Sequence, residues 1–265
     1  MISLALLAVA VLYARGWYRL QQLYPDLLNT RRLVTFFAGL FALWVAVGSP
    51  LAGMDHLWLT AHMAQHLLLM TVAAPLILLG APVITLVHGI PRRLVGGALE
   101  VILRHPFVQQ PGRLLSHPLF CWLMGTGAVV GWHIPALFEL GMRSAGWHEL
   151  ESASFFTAGL FFWWPIVEPW PGVMATWPRW GLPVYLFLAT LPCDVLSAFL
   201  AFCDRVVYPH YVSADQLAAA SALKDQATAG ALMWVWVTLV YLAPAAMITF
   251  ETLSPHTRAP KLEVA

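Results

Sequence analysis

The chain has 265 residues, of which 60% are hydrophobic and only 10% are charged, and its formal net charge at pH 7 is +1. Soluble domains carry about 25% charged residues, so this composition excludes an ordinary water-facing surface and predicts that lipid is the main solvent. The near-zero net charge also argues against a nucleic-acid partner, which would require a basic surface.

Seven apolar runs, taken in chain order, predict an all-α bundle of about seven transmembrane helices. Each run approaches the roughly 20 residues that a helix needs to cross the hydrocarbon core. We therefore expect residues 1–253 to form a single transmembrane domain, and 254–265 to form a short, disordered cytoplasmic tail. The runs lie near residues 2–18, 33–51, 61–87, 118–138, 151–168, 182–203 and 228–250.

The basic residues predict how the bundle is oriented. Eleven of the 14 lysines and arginines fall at one set of alternate helix ends and loops, and only Arg143, Arg205 and Lys224 fall at the other. Lysine and arginine concentrate in cytoplasmic loops. We therefore expect the N-terminus outside, the C-terminus in the cytoplasm, loop 88–117 inside and loop 204–227 outside.

Two histidines at the outer start of the third run form the first candidate site. His62 and His66 are four residues apart, so they share one face of a helix. Met63 and Met70 lie close to the same stripe. Neutral imidazole binds zinc, copper and iron, and thioether sulfur favours Cu(I). The spacing alone is weak evidence, because interfacial histidines and methionine stripes are commonly structural.

Three more polar residues are predicted at the same membrane depth. His133 ends the fourth run, and His148 and Glu151 begin the fifth on one helical face. Polar groups inside a bilayer are costly and usually face a bundle interior or a cavity. Glu151 is open to three interpretations: a ligand, a support that orients an imidazole, or a hydrated interfacial carboxylate. The predicted metal ligands are His62, His66, His133, His148, Glu151 and Met63.

Other polar residues are left with open or structural interpretations. Asp55, His56 and His210 lie in outer loops beside the predicted site. Asp194, within the sixth run, is either functional, as intramembrane acids often are, or protonated and merely hydrogen-bonded. Asp225 precedes the last predicted helix, and we interpret it as an N-terminal helix cap.

Several motifs together resemble the CtaG family of cytochrome c oxidase assembly factors. The resemblance covers most of the chain in the same order, and its most specific part is the first motif. Family members often carry His-x-x-Glu-His at the start of helix five; His148 and Glu151 match, but Ser152 stands where the second histidine would be. The matching segments are AHMAQHLLLM at 61–70, APLILLGAP at 74–82, His117-Pro118, WHIPAL at 132–137, FWWP at 162–165, YPHY at 208–211 and Asp225-Gln226.

The resemblance implies a multi-pass protein of the bacterial cytoplasmic (inner) membrane that is not an enzyme. It implies a role in maturing a haem-copper cytochrome c oxidase, by binding or relaying copper at the periplasmic side. The expected partners are an oxidase subunit and a periplasmic copper donor. Two alternatives stay open: a membrane-embedded, zinc hydrolase-like enzyme, which imidazoles and a carboxylate base would suit, and a copper transporter.

Overall fold

The computed structural model describes residues 2–24, 29–91, 116–167, 178–212 and 219–254, and within these ranges the chain forms nine helices and no strand. Two short 3-10 turns, Pro50–Gly53 and Pro209–Tyr211, lie in the connections. The helices are α1 Ile2–Leu23, α2 Thr30–Gly48, α3 Leu59–Leu79, α4 Pro82–Gly89, α5 Pro118–Trp132, α6 Pro135–Met142, α7 Ala145–Val167, α8 Gly181–Phe202 and α9 Ala219–Leu253.

The prediction of an all-α, multi-pass membrane bundle is confirmed. Among the described residues, five helices are long and apolar enough to cross a membrane: α1, α2, α3, α8 and α9. A sixth span is formed if α5 and α6, which meet at an angle of 78°, are counted as one broken helix. The predicted number of about seven helices is roughly compatible with these five or six spans.

Two of the predicted runs are interrupted where the backbone cannot continue as a helix. The run 61–87 breaks at Ala81, whose φ of 49° and ψ of 57° are left-handed, and α4 then begins at Pro82. The run 118–138 breaks after His133, because Pro135 disfavours the helical conformation for Ile134, whose ψ is 123°. Both breaks turn a predicted straight span into two shorter helices.

Helix α3 is the central element of the bundle. Its middle, Leu68–Ala73, is a wider π-helical turn, a feature that is frequent at functional sites. Neighbouring helices satisfy polar groups of this turn: Trp163 Nε1 of α7 donates to Met70 O at 3.0 Å, and Trp236 Nε1 of α9 donates to Thr71 Oγ1 at 2.8 Å. These bonds tie α3 to α7 and α9 directly below the candidate histidines.

Two buried clusters enclose the candidate site from opposite sides. The larger, apolar cluster joins α3, α5, α7, α8 and α9 and includes the packed rings of Phe162, Tyr185 and Tyr241. The smaller cluster lies at the other end of these helices, where Phe138 of α6 stacks on Tyr208 with ring centroids 3.9 Å apart. Aromatic pairs of this kind bury large areas and restrain orientation, so the site lies between two rigid layers.

Some predictions fall outside the described residues. These are most of loop 88–117, the tail 254–265 except its first residue, and residues 213–218 of loop 204–227. The orientation of the bundle and the disorder of the tail therefore stay predictions.

Candidate metal centre

The N-terminal turns of α3 present two imidazoles to one point. His62 and His66 lie one turn apart, and their Nε2 atoms are 3.0 Å from each other. The rings meet edge to face with centroids 4.4 Å apart. One neutral imidazole can donate to the other at this distance, and a bound cation can equally replace the shared proton.

The start of α3 is held by a residue from the far end of the chain. Asp225 on α9 accepts hydrogen bonds from the backbone N–H groups of Leu59 at 2.6 Å and Thr60 at 3.3 Å. It also accepts from Thr60 Oγ1 at 2.5 Å. Asp225 is thus a helix cap, as the sequence predicts, but it caps a different helix. It lies inside α9 and caps the start of α3. The first turn of any helix needs such acceptors.

Glu151 brings a carboxylate to the same point from α7. Its Oε1 atom is 3.4 Å from Nε2 of both His62 and His66. Its Oε2 atom faces Gly141 of α6, where an added Cβ would lie 2.5 Å away. Within the described ranges, Oε2 has no hydrogen-bond partner. Gly141 is therefore what allows the carboxylate to fit between α6 and α3.

His148, three residues before Glu151 on the same face of α7, completes a triad of imidazoles. One nitrogen from each of His62, His66 and His148 can be chosen so that all three lie within 4.8 Å of one another. A tetrahedral ion with bonds of 2.0–2.1 Å needs ligand atoms about 3.3 Å apart. The separations of 3.0 and 3.4 Å among the side-chain atoms of His62, His66 and Glu151 are close to that spacing.

The buried carboxylate of Glu151 would be stabilised by a nearby positive charge. Glu151 and His62 are each only 1% exposed, and His66 is 4% exposed. An ionised carboxylate in such a place is very unfavourable unless a cation or strong donors compensate it. A metal ion or a protonated imidazole would supply that compensation, and the converging nitrogens suit both.

His133 and Met63 lie beside the triad and not within it. His133 ends α5, and its Nδ1 is 2.6 Å from Val129 O, which leaves Nε2 as its free nitrogen. Both residues line a cavity that adjoins His66. The structure therefore brings four of the six predicted ligands together and places the other two on the neighbouring cavity. Metal binding by any of them stays a prediction.

Asp55 and His56, which the sequence predicts to lie beside the site without a defined role, contact it directly. Asp55 is 1% exposed, and its Oδ2 is 3.4 Å from Nε2 of His148. Tyr211 donates to Asp55 O at 2.7 Å. Burial and the Asp55 charge raise the pKa of Tyr211 well above its ordinary value, so the phenol stays a neutral donor. No local signal predicted this contact, because 93 residues separate Asp55 from His148.

A glutamine of α9 shapes the loop that covers the cluster. Gln226 is 1% exposed and accepts from Val207 N at 2.7 Å, while its amide donates to Arg205 O at 3.1 Å. Tyr208, the residue after Val207, donates to His133 O at 3.1 Å. Asp225 and Gln226 thus serve two neighbouring structural tasks, one on α3 and one on the loop.

Two further residues of the sequence analysis keep open roles. Ser152 is buried beside Glu151, and its Oγ has no hydrogen-bond partner among the residues that the structure describes. Asp194 lies on α8, outside the group of His62, His66 and His148, and its Oδ1 is likewise unpartnered within the described part of the chain. Neither contributes an atom to the triad.

Comparisons with known proteins show what this chain is similar to. The family model described as cytochrome c oxidase caa3 assembly factor matches residues 11–254. The chain is 26% identical over 261 residues to uncharacterized proteins of Mycobacterium bovis and Mycobacterium tuberculosis, covering 94% of this chain and 38% of each relative. It is 27% identical over 216 residues to an uncharacterized protein of Mycobacterium leprae, covering 77% and 31%. The chain thus spans less than two fifths of the length of these relatives. No solved structure matches it.

Proposed function

This chain belongs to the cytochrome c oxidase caa3 assembly factor family, and we propose that it assists oxidase maturation by holding copper and passing it to an oxidase subunit. The proposal places the protein in the bacterial cytoplasmic membrane, with the histidine end of the bundle facing the periplasm. Its partners would be that oxidase subunit and a periplasmic copper donor.

The observation that carries the proposal is the buried group of His62, His66, His148 and Glu151. Three imidazole nitrogens and one carboxylate oxygen are the donors that borderline transition metals accept. The group lies where two helix N-termini, α3 and α7, meet at one end of the bundle. It is near the surface yet shielded, a suitable place to hold a reactive ion and release it to a docked partner.

The neighbouring cavity favours copper over zinc. It is lined by the thioethers of Met63, Met70 and Met233 and by the thiol of Cys193, together with His66 and His133. Soft sulfur ligands select Cu(I), whereas zinc gains nothing from thioethers. A copper ion held by the imidazoles would therefore have a second set of suitable donors within the same interior.

The test is a double substitution, His62→Ala with His66→Ala, in cells that depend on this protein for oxidase activity. Alanine is a good helix former, so α3 should still insert. We expect both this variant and a deletion of the protein to leave oxidase subunits that are made but contain little copper and have little activity. Added copper should partly restore both.

A matched control removes an imidazole from the other end of the bundle. His117 caps α5 because its Nδ1 accepts from Leu119 N, and in His117→Asn the amide oxygen can accept the same bond. This variant should support normal oxidase. Full activity in the double variant, at normal protein level, would contradict copper relay and leave only an assembly role.

One observation favours a second candidate, a zinc-dependent hydrolase. Glu151 Oε2 is buried and, among the described residues, unpartnered, as a general base awaiting a metal-bound water would be. Metal analysis separates the two candidates: stoichiometric zinc in the purified protein would favour the enzyme, and copper would favour the relay. Copper transport is less well supported, because rings of Phe162, Tyr185 and Tyr241 fill the interior beyond the cavity.

A further inference from the structure

A second group of metal-ligating side chains lies on the outer side of the triad. Asp55, His56 and His148 each offer one ligand atom, and these atoms all lie within 4.8 Å of one another. Asp55 Oδ1 is 3.8 Å from His56 Nε2, and Asp55 Oδ2 is 3.4 Å from His148 Nε2. Asp55 and His56 come from the loop before α3, whereas His148 comes from α7.

We propose that Asp55, His56 and His148 form a loading site, where a divalent metal ion binds first from solvent before it moves to His62 and His66. This inference rests on the proposed function, because it assigns the route by which the buried triad is filled. The loading site and the buried triad share His148.

Exposure decreases along the proposed route. The side chain of His56 is 45% exposed, that of His148 is 10% exposed, and that of His62 is 1% exposed. A further imidazole, His210, stands at the outer end with its ring centroid 6.1 Å from that of His56. Its position is restrained because its backbone N–H donates to Glu139 Oε1 at 3.1 Å. An ion approaching from solvent would therefore meet His210 and His56 first.

The shared histidine makes the two sites successive. His148 Nε2 is the nitrogen that faces Asp55, and one ring nitrogen binds one metal ion at a time. A transfer through this nitrogen therefore fills the two sites in succession. In the transfer, the bonds from the ion to Asp55 and His56 break, the bond to His148 is kept, and bonds to His62 and His66 form. The step is a ligand exchange that leaves the oxidation state unchanged and needs no other reactant.

The two sites differ in ligand chemistry, and this difference favours movement of the ion from the loading site to the buried triad. The loading site offers one carboxylate and two imidazoles, and the His56 side chain is 45% exposed, so the site suits a divalent ion such as Cu(II) and should exchange it readily. The buried triad offers three imidazoles next to Glu151 in a dry interior, where electrostatic interactions are stronger. The ion therefore gains stability as it moves inward.

A purely structural role for Asp55 makes a different prediction. If this carboxylate only orients His148, as carboxylates commonly do for metal-bound histidines, then His56 has no part in metal binding. His56 is half exposed, so its substitution should not disturb folding. His56→Ala therefore separates the two interpretations cleanly.

The experiment measures Cu(II) binding to the purified full chain in detergent, by equilibrium dialysis and by stopped-flow tryptophan fluorescence. In His56→Ala we expect loading of the buried triad to slow by about tenfold or more, the size of effect that loss of one supporting group has at a metal site. The equilibrium affinity should stay within about threefold of that of the wild type. His117→Asn, at the other end of α5, should load at the wild-type rate.

The variant His62→Ala with His66→Ala tests the loading site alone. It should keep one weaker Cu(II) site that exchanges quickly with a chelator, and adding His56→Ala should abolish it. Wild-type loading in His56→Ala, or no copper bound by the double variant, would overturn the loading site and leave the proposed function standing. A wild-type protein that binds no copper would overturn both.

Discussion

At the scale of single residues, Glu151 is the most informative side chain. It is buried, its Oε1 lies 3.4 Å from two imidazoles, and space for its Oε2 is provided by the absence of a side chain at Gly141. A carboxylate would not be placed among apolar helices without a compensating charge. Substituting Glu151 therefore tests whether the group of His62, His66, His148 and Glu151 binds a cation.

Glu151→Gln keeps the size of the side chain and removes its charge. If the cluster holds a metal ion, we expect its affinity to fall by about 10–100-fold, as it does when groups around metal ligands are changed. Chelator competition on the purified protein measures this. Glu149→Gln, an exposed neighbour on α7, is the control and should bind like the wild type. Equal affinity in both variants would mean that the Glu151 charge is not part of a metal site.

At the scale of helices, the register of α3 depends on α9. Asp225 accepts two backbone N–H bonds and one hydroxyl bond at the first turn of α3, across 165 or 166 residues of sequence. His62 and His66 follow within two turns. The same end of α3 is continuous with the π-helical turn that Trp163 and Trp236 secure. Both histidines are thus positioned by contacts from α9 and α7, in addition to the hydrogen bonds within α3.

Asp225→Ala removes this cap. We expect the free energy of unfolding to fall by about 1 kcal/mol, the usual cost of losing a side-chain cap, and metal affinity to fall as well because the first turn of α3 loosens. Thermal unfolding in detergent and chelator competition measure the two effects. Lys224→Ala, at an exposed position one residue earlier, should change neither. A stability loss with unchanged metal affinity would separate the cap from the site.

At the scale of the whole molecule, the bundle has two chemically different ends. The imidazoles converge where α3 and α7 begin and α5 ends. Arg19 lies at the opposite end, where its Nη1 donates to His88 O at 3.1 Å near the end of α4. Because basic residues favour the cytoplasmic side, the histidine end is predicted to face the periplasm.

Cysteine labelling tests this orientation. With Cys121, Cys193 and Cys203 replaced by alanine, a single cysteine introduced in loop 204–227 should react with a membrane-impermeant reagent in whole cells. A cysteine introduced in loop 88–117 should react only after the cells are opened. The reverse pattern would place the metal centre in the cytoplasm and exclude loading from the periplasm.

Much of this protein is determined by its sequence alone. Continuous apolar runs determine the all-α class and the location of the helices, because hydropathy and helix length are properties of neighbouring residues. The four-residue spacing of His62 and His66 determines that they share a face, since one helical turn brings them together. The family resemblance also rests on contiguous motifs, and the match over residues 11–254 confirms it.

The composition of the site was decided only by tertiary structure. Whether His133 or His148 joins His66 depends on how three helices are bent and packed, and the break before Pro135 leaves His133 with Val129 O while α7 brings His148 inward. Asp55 and Asp225 act on partners 93 and at least 165 residues away. Such contacts follow from close helix packing and from the high cost of an unpaired polar group in a dry interior. Neither can be predicted from the spacing of neighbouring residues, because both depend on how distant segments pack together.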